Sequence, residues 1–281
     1  DAASKDALVT HLTNMIGQPM ASVPLDGPLV EQVQGILSET PVAARAYRTI
    51  VDGPEAKALA EWTLLKAGGP ATKRVMVRPS GLQLSKGVPG VYTMDGFYDI
   101  FLPAALDVAE QIKKDNWVLG PRAEDLSDSN ALALIARDVL DLYYSDYIIE
   151  WETILGDLDI APMSSMSQTV NTLNVLSGPT SPILNILTHV AEQTRLTERR
   201  ANQVVEGVAG GLAGEGSSLA VEGLGVRTQR LLAVLQTAAT VDGQKPPKPG
   251  QTVQDRFDSL HIFVKGFDEN APGELDGIMQ L

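Results

Sequence analysis

The residues of this sequence most suited to chemistry are three histidines, because the chain contains no cysteine. The lack of cysteine excludes disulfides, thiolate nucleophiles, iron–sulfur clusters and zinc sites with sulfur ligands. His11, His189 and His261 are far apart in sequence, and none belongs to an HExxH or similar zinc-ligand motif. We treat all three as solitary surface or half-buried side chains, and we predict no metal site.

A glycine-rich stretch at residues 207–225 raises the question of a nucleotide-binding loop. A phosphate loop needs GxxxxGK followed by Ser or Thr, and no lysine lies between Lys114 and Lys245. A dinucleotide fingerprint needs GxGxxG after a strand, whereas Gly214-Glu-Gly216 is followed by Ser-Ser-Leu. We therefore interpret the stretch as a linker and predict no cofactor site.

A pair of carboxylates, Asp146 and Glu150, lies four residues apart on a predicted helix. Two acids can cleave a glycoside, but carboxylates one turn apart on one helix seldom stand on opposite sides of a substrate. Like charges at this spacing also destabilise a helix slightly, so a basic partner from another helix is the simpler explanation. No GxSxG nucleophile elbow occurs either. We predict no catalytic residues.

The balance of charges argues against two classes of partner. The 281 residues include 22 Lys and Arg against 35 Asp and Glu, which gives a net charge of −13. Binding to nucleic acid or to anionic lipid depends on clustered basic side chains. No apolar run reaches the roughly 18–20 residues of a membrane span, and no signal-peptide pattern opens the sequence. We expect a soluble stretch that folds around a core, since 44% of its residues are hydrophobic.

Helical periodicity runs through most of the chain and predicts a mainly all-α fold, a multi-helix bundle. The longest helix is expected at about residues 129–155, roughly 40 Å long at 1.5 Å per residue. Apolar residues occupy much of its circumference, so the helix should be central. They recur at spacings of three and four, at Ala136, Leu140, Tyr143, Tyr147, Trp151, Ile154 and Leu158. We expect its aromatic side chains, with Trp117, to lie in the core.

Shorter helices should surround this one. They are predicted at residues 4–16, from 28, at 40–52, 54–68, 93–112, 164–176 and 182–193, and from 252. Ser181-Pro182 is typical of a helix start, with a capping residue followed by proline. Pro103 should kink the 93–112 helix near Asp99, whose carbonyl loses its N–H donor. Alternating apolar residues around Pro79-Ser80-Gly81 predict at most a small β-hairpin near residues 73–84.

Composition divides the chain into three parts. Residues 1–200 should form a helical domain, and residues 201–250 a Gly- and Pro-rich linker containing one possible helix at 227–240. Residues 251–281 should begin the following helical segment, which stops in the middle of an apolar pattern. We expect this sequence to be a piece of a longer protein.

Several short segments occur together between residues 88 and 196. They are Val88-Pro-Gly-Val-Tyr-Thr93, Gly96-Phe-Tyr98, Phe101-Leu-Pro103, Asn116-Trp-Val-Leu-Gly120, Asp146-Tyr-Ile148 with Trp151, Leu176-Ser-Gly-Pro-Thr-Ser-Pro182, and then Val190-Ala191, Thr194 and Leu196. In this order they resemble the IcmF/TssM family, the inner-membrane component of bacterial type VI secretion. Arg256-Phe257 with Leu260 resembles the next family helix.

The resemblance implies a function without catalysis. It implies that the chain is a scaffold in the periplasmic region of an inner-membrane protein and builds the secretion membrane complex. Implied partners are an outer-membrane lipoprotein, a small inner-membrane protein and copies of the same chain. The family's nucleotide-binding motif belongs to its cytoplasmic part, and its β-rich segment, which contacts the lipoprotein, should lie beyond Leu281.

Two of the resembling segments, Val88–Thr93 and Leu176–Pro182, combine Pro and Gly just before a predicted helix. Such residues fix the direction of the chain. We hypothesise that they set how the helix beginning at Thr93 packs against the long helix. Replacing Pro89 or Gly178 should then lower the melting temperature.

Two other classes of function stay open at this point. One is a cytosolic helical adaptor, which transmembrane helices upstream of Asp1 would contradict. The other is an enzyme acting on cell-wall glycan, which would turn over peptidoglycan and lose that activity on Asp146→Asn. The scaffold interpretation predicts partner binding or self-association without turnover.

Overall fold

The computed structural model describes residues 2–17, 26–115, 131–178, 180–198 and 248–265. This part of the chain is mainly helical and contains a two-stranded antiparallel sheet, which confirms the predicted fold class. The helices are α1 Ala2–Gly17, α2 Gly27–Ser38, α3 Val42–Val51, α4 Pro54–Ala58, α5 Leu64–Gly68, α6 Thr72–Val75, α7 Leu102–Asp115, α8 Ala131–Gly156, α9 Met166–Leu176, α10 Pro182–Thr194, α11 Gln251–Arg256 and α12 Asp258–Val264. The strands are β1 Met76–Val77 and β2 Asp159–Ile160.

Helix α8 is the centre of the described fold, as its periodicity predicts. It is 26 residues long and packs against α3, α7 and α11. Its predicted core positions from Ala136 to Ile154 are buried, among them Tyr143, Tyr147 and Trp151, none of which is exposed to solvent. The last predicted position, Leu158, lies beyond the end of α8 and is only partly buried. The residues at 129–130, where the helix was expected to start, lie outside the described part.

The predicted kink at Pro103 takes the form of a π-helical turn. Thr93 accepts a hydrogen bond from the Gly96 amide at 3.2 Å, and the backbone then runs as a π turn over Gly96–Phe101. Helix α7 begins at Leu102, directly after this turn. Because proline has no N–H for the carbonyl of Asp99, the regular pattern is lost where the sequence predicts it.

The extended residues near 73–84 pair with a different part of the chain from the one predicted. Met76 lies opposite Ile160 in the antiparallel β1–β2 pair, so no hairpin forms with residues 82–84. The turn at Pro79-Ser80-Gly81 exists, but it is held against the end of α8. Asp157 accepts hydrogen bonds there from the Ser80 amide at 2.8 Å and from Arg78 Nε at 2.6 Å.

The single helix predicted at residues 54–68 is divided into α4 and α5. Between them Trp62 bridges to Val88, with N–H to carbonyl distances of 3.0 and 2.9 Å in the two directions. Gly87 permits this approach, since a Cβ there would lie 1.6 Å from the Trp62 carbonyl oxygen. A contact between segments 26 residues apart therefore overrides the local helical pattern.

Helices α11 and α12 pack on the same body as α8 and α10. Gly250, in a left-handed conformation at φ 80°, donates its amide to Tyr144 Oη at 2.9 Å. A Cβ at this glycine would lie 2.4 Å from Leu196 Cβ. Most of the predicted linker, including the glycine-rich stretch and the helix at 227–240, lies outside the described residues, and the division into three parts stays a prediction.

Candidate interaction surfaces and the buried network beneath them

The aromatic residues of α8 are tied to the backbone of neighbouring segments. Tyr143 Oη donates to the Val91 carbonyl at 2.7 Å, and Trp151 Nε1 donates to the Tyr92 carbonyl at 2.8 Å. Buried hydroxyl and indole groups need such partners, because an unpaired donor away from water costs about 1–3 kcal/mol. These contacts confirm the expectation that the described aromatics are core residues. Trp117 lies outside the described part of the chain.

The resembling segment Val88–Thr93 lies directly on α8 through these two bonds. It also carries Gly90, where a Cβ would lie 2.5 Å from Leu59 Cβ and 2.6 Å from the Ala60 carbonyl oxygen. The contacts support the hypothesis that this segment sets the packing of the following helix. Tyr147 Oη extends the same pattern by donating to the Gln193 carbonyl of α10 at 2.7 Å.

A hydrogen-bonded network of Tyr47, Tyr92 and Asp146 joins α3 to α8. Tyr47 Oη donates to the Asp146 carboxylate and lies 2.8 Å from Tyr92 Oη. Since Tyr47 has a single hydroxyl hydrogen, Tyr92 must be the donor in the pair of tyrosines. Burial raises the pKa of Tyr92 to about 12 and, with the hydrogen bond to Asp146, raises the pKa of Tyr47 far above its ordinary value. Both hydroxyls therefore stay protonated at neutral pH.

This network corrects the expectation that a basic side chain pairs with Asp146. Among the described residues its partner is the hydroxyl of Tyr47, and no ion pair reaches Asp146 or Glu150. The pKa of Glu150 is raised by burial and then by the nearby Asp146 charge. Asp146 thus has a structural partner across a helix interface, while the prediction that the chain has no catalytic residues stays a prediction.

The histidines are less solitary than the sequence analysis assumes. His189 Nδ1 lies 3.2 Å from Glu192 Oε2, one helical turn away on α10, so treating it as solitary is wrong. His261 is buried, and its Nε2 lies 2.8 Å from Thr194 Oγ1. His11 is exposed on α1. Within the described ranges, no three His, Asp or Glu side chains are grouped so that they could hold a metal ion.

The start of α10 also differs from its prediction. Ser181 precedes Pro182 as expected, but its side chain makes no capping hydrogen bond. Ser181 Oγ is buried and has no hydrogen-bond partner in the structure. The capping that the sequence predicts here is therefore wrong, although proline does occupy the first helical turn.

Helix α9 presents apolar side chains to solvent. Met166, Val170 and Leu173 are 80%, 49% and 54% exposed, and their spacing of four and three places them on one face. The buried residue of this helix is Thr172. A surface helix normally turns its apolar stripe to the core, so this arrangement is typical of an interaction surface. We call these three residues the α9 face.

Helix α2 forms a second candidate surface. Asp26 caps it by accepting a hydrogen bond from the Leu29 amide at 3.1 Å, and none of its residues is buried. Its apolar residues Leu29, Val33 and Ile36 are exposed at spacings of four and three. Helical periodicity predicts both helices but neither surface, because amphipathic spacing alone does not reveal which face meets the core.

Among the helices of the described residues, none is both long enough and apolar enough to span a membrane.

Comparison with known proteins gives two matches. Residues 1–195 match the IcmF-related family, described as "Intracellular multiplication and human macrophage-killing". The chain is also 33% identical over 284 aligned residues to "Type VI secretion system component TssM1" of Pseudomonas aeruginosa (strain PAO1). That alignment covers 98% of this chain and 24% of the relative, so the chain spans about a quarter of the relative's length. No solved structure matches.

The family match covers more than half of the chain, and the alignment with TssM1 covers nearly all of it. Both agree with the resemblance drawn from the segments between residues 88 and 196. One of those segments, Val88–Thr93, accepts hydrogen bonds from Tyr143 and Trp151 of α8 and so has a structural role in the fold. The chain belongs to the IcmF-related family.

Proposed function

We propose that this chain is a scaffold of a type VI secretion membrane complex and binds other proteins without catalysing a reaction. The observation that carries the proposal is the α9 face, an exposed apolar surface on a helix whose buried residue is a threonine. The identity to TssM1 supplies the kind of complex in which such a surface would act. The proposed partners are an outer-membrane lipoprotein, a small inner-membrane protein and further copies of the chain.

The polar groups of the interior support a structural role. Tyr143, Tyr147 and Trp151 each donate to a backbone carbonyl, and Tyr47 donates to Asp146. Side chains engaged in this way hold neighbouring segments together, which is the role that the scaffold proposal gives them. The exposed apolar residues of the described fold are therefore the groups that we expect to bind other proteins.

We further propose that the chain lies in the periplasm, as part of an inner-membrane protein. The exposed Glu55 at the start of α4 offers a labelling position that belongs to neither candidate surface. Glu55→Cys in the full-length protein should react with a membrane-impermeant maleimide in cells whose outer membrane alone is permeabilised. The unsubstituted protein is the control. Labelling that requires lysis of the inner membrane would instead support a cytosolic adaptor.

The scaffold role itself is tested on α2. Ile36→Asp places a charge within its exposed apolar stripe, and Ser38→Asp places the same charge on an exposed polar position about 160° around the same helix. In cells, Ile36→Asp should reduce co-purification of the lipoprotein and the small inner-membrane partner with the full-length protein, while Ser38→Asp should not. Equal recovery from both variants would count against α2 as a binding surface. Turnover of peptidoglycan by the purified protein would overturn the scaffold proposal as a whole.

A further inference from the structure

Helix α9, which carries the α9 face, packs on the body of the protein and has a capped first turn. It packs against α6 and α10, and Thr172 is its buried residue. At its first turn Ser165 accepts a hydrogen bond from the Gln168 amide at 3.2 Å. The Gln168 side chain in turn donates to the Pro162 carbonyl at 3.2 Å. The apolar residues are thus presented on a helix that is already formed and packed, which lowers the entropy cost of binding.

The stretch of sequence that carries the α9 face contains no charged residue, and α6, which packs against α9, carries the exposed basic residues Lys73 and Arg74. Residues 160–188 contain no Asp, Glu, Lys or Arg, although the whole chain has a net charge of −13. A strongly charged partner finds no complementary group along this stretch. Two copies of one acidic chain repel each other over most of their surfaces, and this stretch is one where they can approach without that repulsion. Charge therefore favours a second copy as the occupant.

The α9 face is small compared with the interfaces of stable complexes. With the neighbouring Met163, which is 42% exposed, the α9 face offers roughly 400 Å² of apolar side-chain area, similar to functional patches of about 300–600 Å². Two such faces together bury roughly 800 Å², against about 1,200–2,000 Å² for a stable interface. The contact is therefore weak on its own and acts between copies that other interactions already hold together.

We propose that the α9 face binds the same face of a second copy of this chain, in a two-fold contact centred on Val170. In such an arrangement each residue near the axis meets its own counterpart, so one apolar stripe serves both partners. This inference rests on the scaffold role proposed above and names one surface through which that role is exerted.

Cross-linking tests the contact directly, because these 281 residues contain no native cysteine and the unsubstituted full-length protein serves as the control for any cysteine elsewhere. Val170→Cys in the full-length protein in cells should form a disulfide-linked pair of copies under mild oxidation, since a disulfide requires Cα atoms within about 7 Å. Asn171→Cys, exposed but turned about 100° around the helix, should not. A disulfide between Val170→Cys and a different protein would overturn the proposal.

A charge substitution provides the second measurement. Val170→Asp should weaken association between copies of the full-length protein by about tenfold or more, because two carboxylates would meet at the axis. Asn171→Asp adds the same charge outside the face and should change the association little. Equal association in both variants, together with no cross-link at Val170→Cys, would overturn the proposal. Cross-linking that persists in a protein labelled only from the cytosol would refute the proposed function and leave this contact intact.

Discussion

Removal of one hydroxyl group, by Tyr47→Phe, measures the strength of the network between α3 and α8. The substitution keeps the ring in place and leaves no cavity of a size that matters. It removes the bond to Asp146 and the acceptor used by Tyr92. A hydrogen bond to a charged group contributes about 1.5–3 kcal/mol. Because Asp146 is partly exposed and water replaces some of the lost bond, we expect the free energy of unfolding to fall by about 2 kcal/mol.

The assay is chemical and thermal unfolding of the chain followed by circular dichroism. A loss of this size should lower the melting temperature by roughly 4–8 °C in a domain of this length. A double-mutant cycle with Asp146→Asn separates the direct interaction from general disturbance, and we expect a coupling energy of about 1 kcal/mol. A loss below about 0.5 kcal/mol for Tyr47→Phe, or strict additivity in the cycle, would refute the reasoning.

Three further substitutions test other parts of the fold. Burial lowers the pKa of His261 from 6.5, so below about pH 6.5 the unfolded chain binds more protons than the folded one. The free energy of unfolding should therefore fall as the pH drops below about 6.5. Unfolding measured from pH 7.5 to about 5 should show a shallower decline for His261→Gln. Gly87→Ala should destabilise the chain by about 3 kcal/mol or more, because its Cβ would overlap the Trp62 carbonyl; a melting temperature equal to that of the wild type would contradict this close approach. Gly178→Ala should cost less, since its Cβ would lie 3.3 Å from the backbone oxygen one turn earlier, and differential scanning calorimetry should find a small but measurable decrease.

Elements whose signal is contained in their own residues could be predicted from the sequence. The apolar repeat of α8 extends over more than six turns, and the structure follows it from Ala131 to Gly156. The irregularity before Pro103 is equally local, since it depends on one missing N–H. The resemblance to the IcmF/TssM family likewise rests on residues that are adjacent in sequence.

The features that the sequence analysis missed depend on contacts between distant residues. Nothing near Met76 indicates that its strand partner is Ile160, because the strand pair and the neighbouring Arg78 and Ser80 bonds to Asp157 join residues far apart in sequence. The break between α4 and α5 likewise depends on a contact between distant residues, because Val88 pairs with Trp62 there.

The orientation of α9 is another feature that could not be predicted from the sequence. Its sequence has apolar residues at helical spacing, and a stripe of this kind usually faces the core. Which side meets the rest of the protein is decided by the position of Thr172 against its neighbours, and that is visible only in the structure. The candidate surfaces could therefore not be predicted, while the core aromatics could.

The bonds that α8 makes to main-chain oxygens have a consequence for how the family can diverge. Every amino acid carries a carbonyl, so replacing Val91 by another residue of suitable bulk leaves an acceptor for Tyr143 in place. The donors have no such freedom, because phenylalanine at Tyr143 or Tyr147 would remove the bond. Substitutions should therefore be tolerated at the residues whose carbonyls accept these hydrogen bonds and selected against at the tyrosines that donate them.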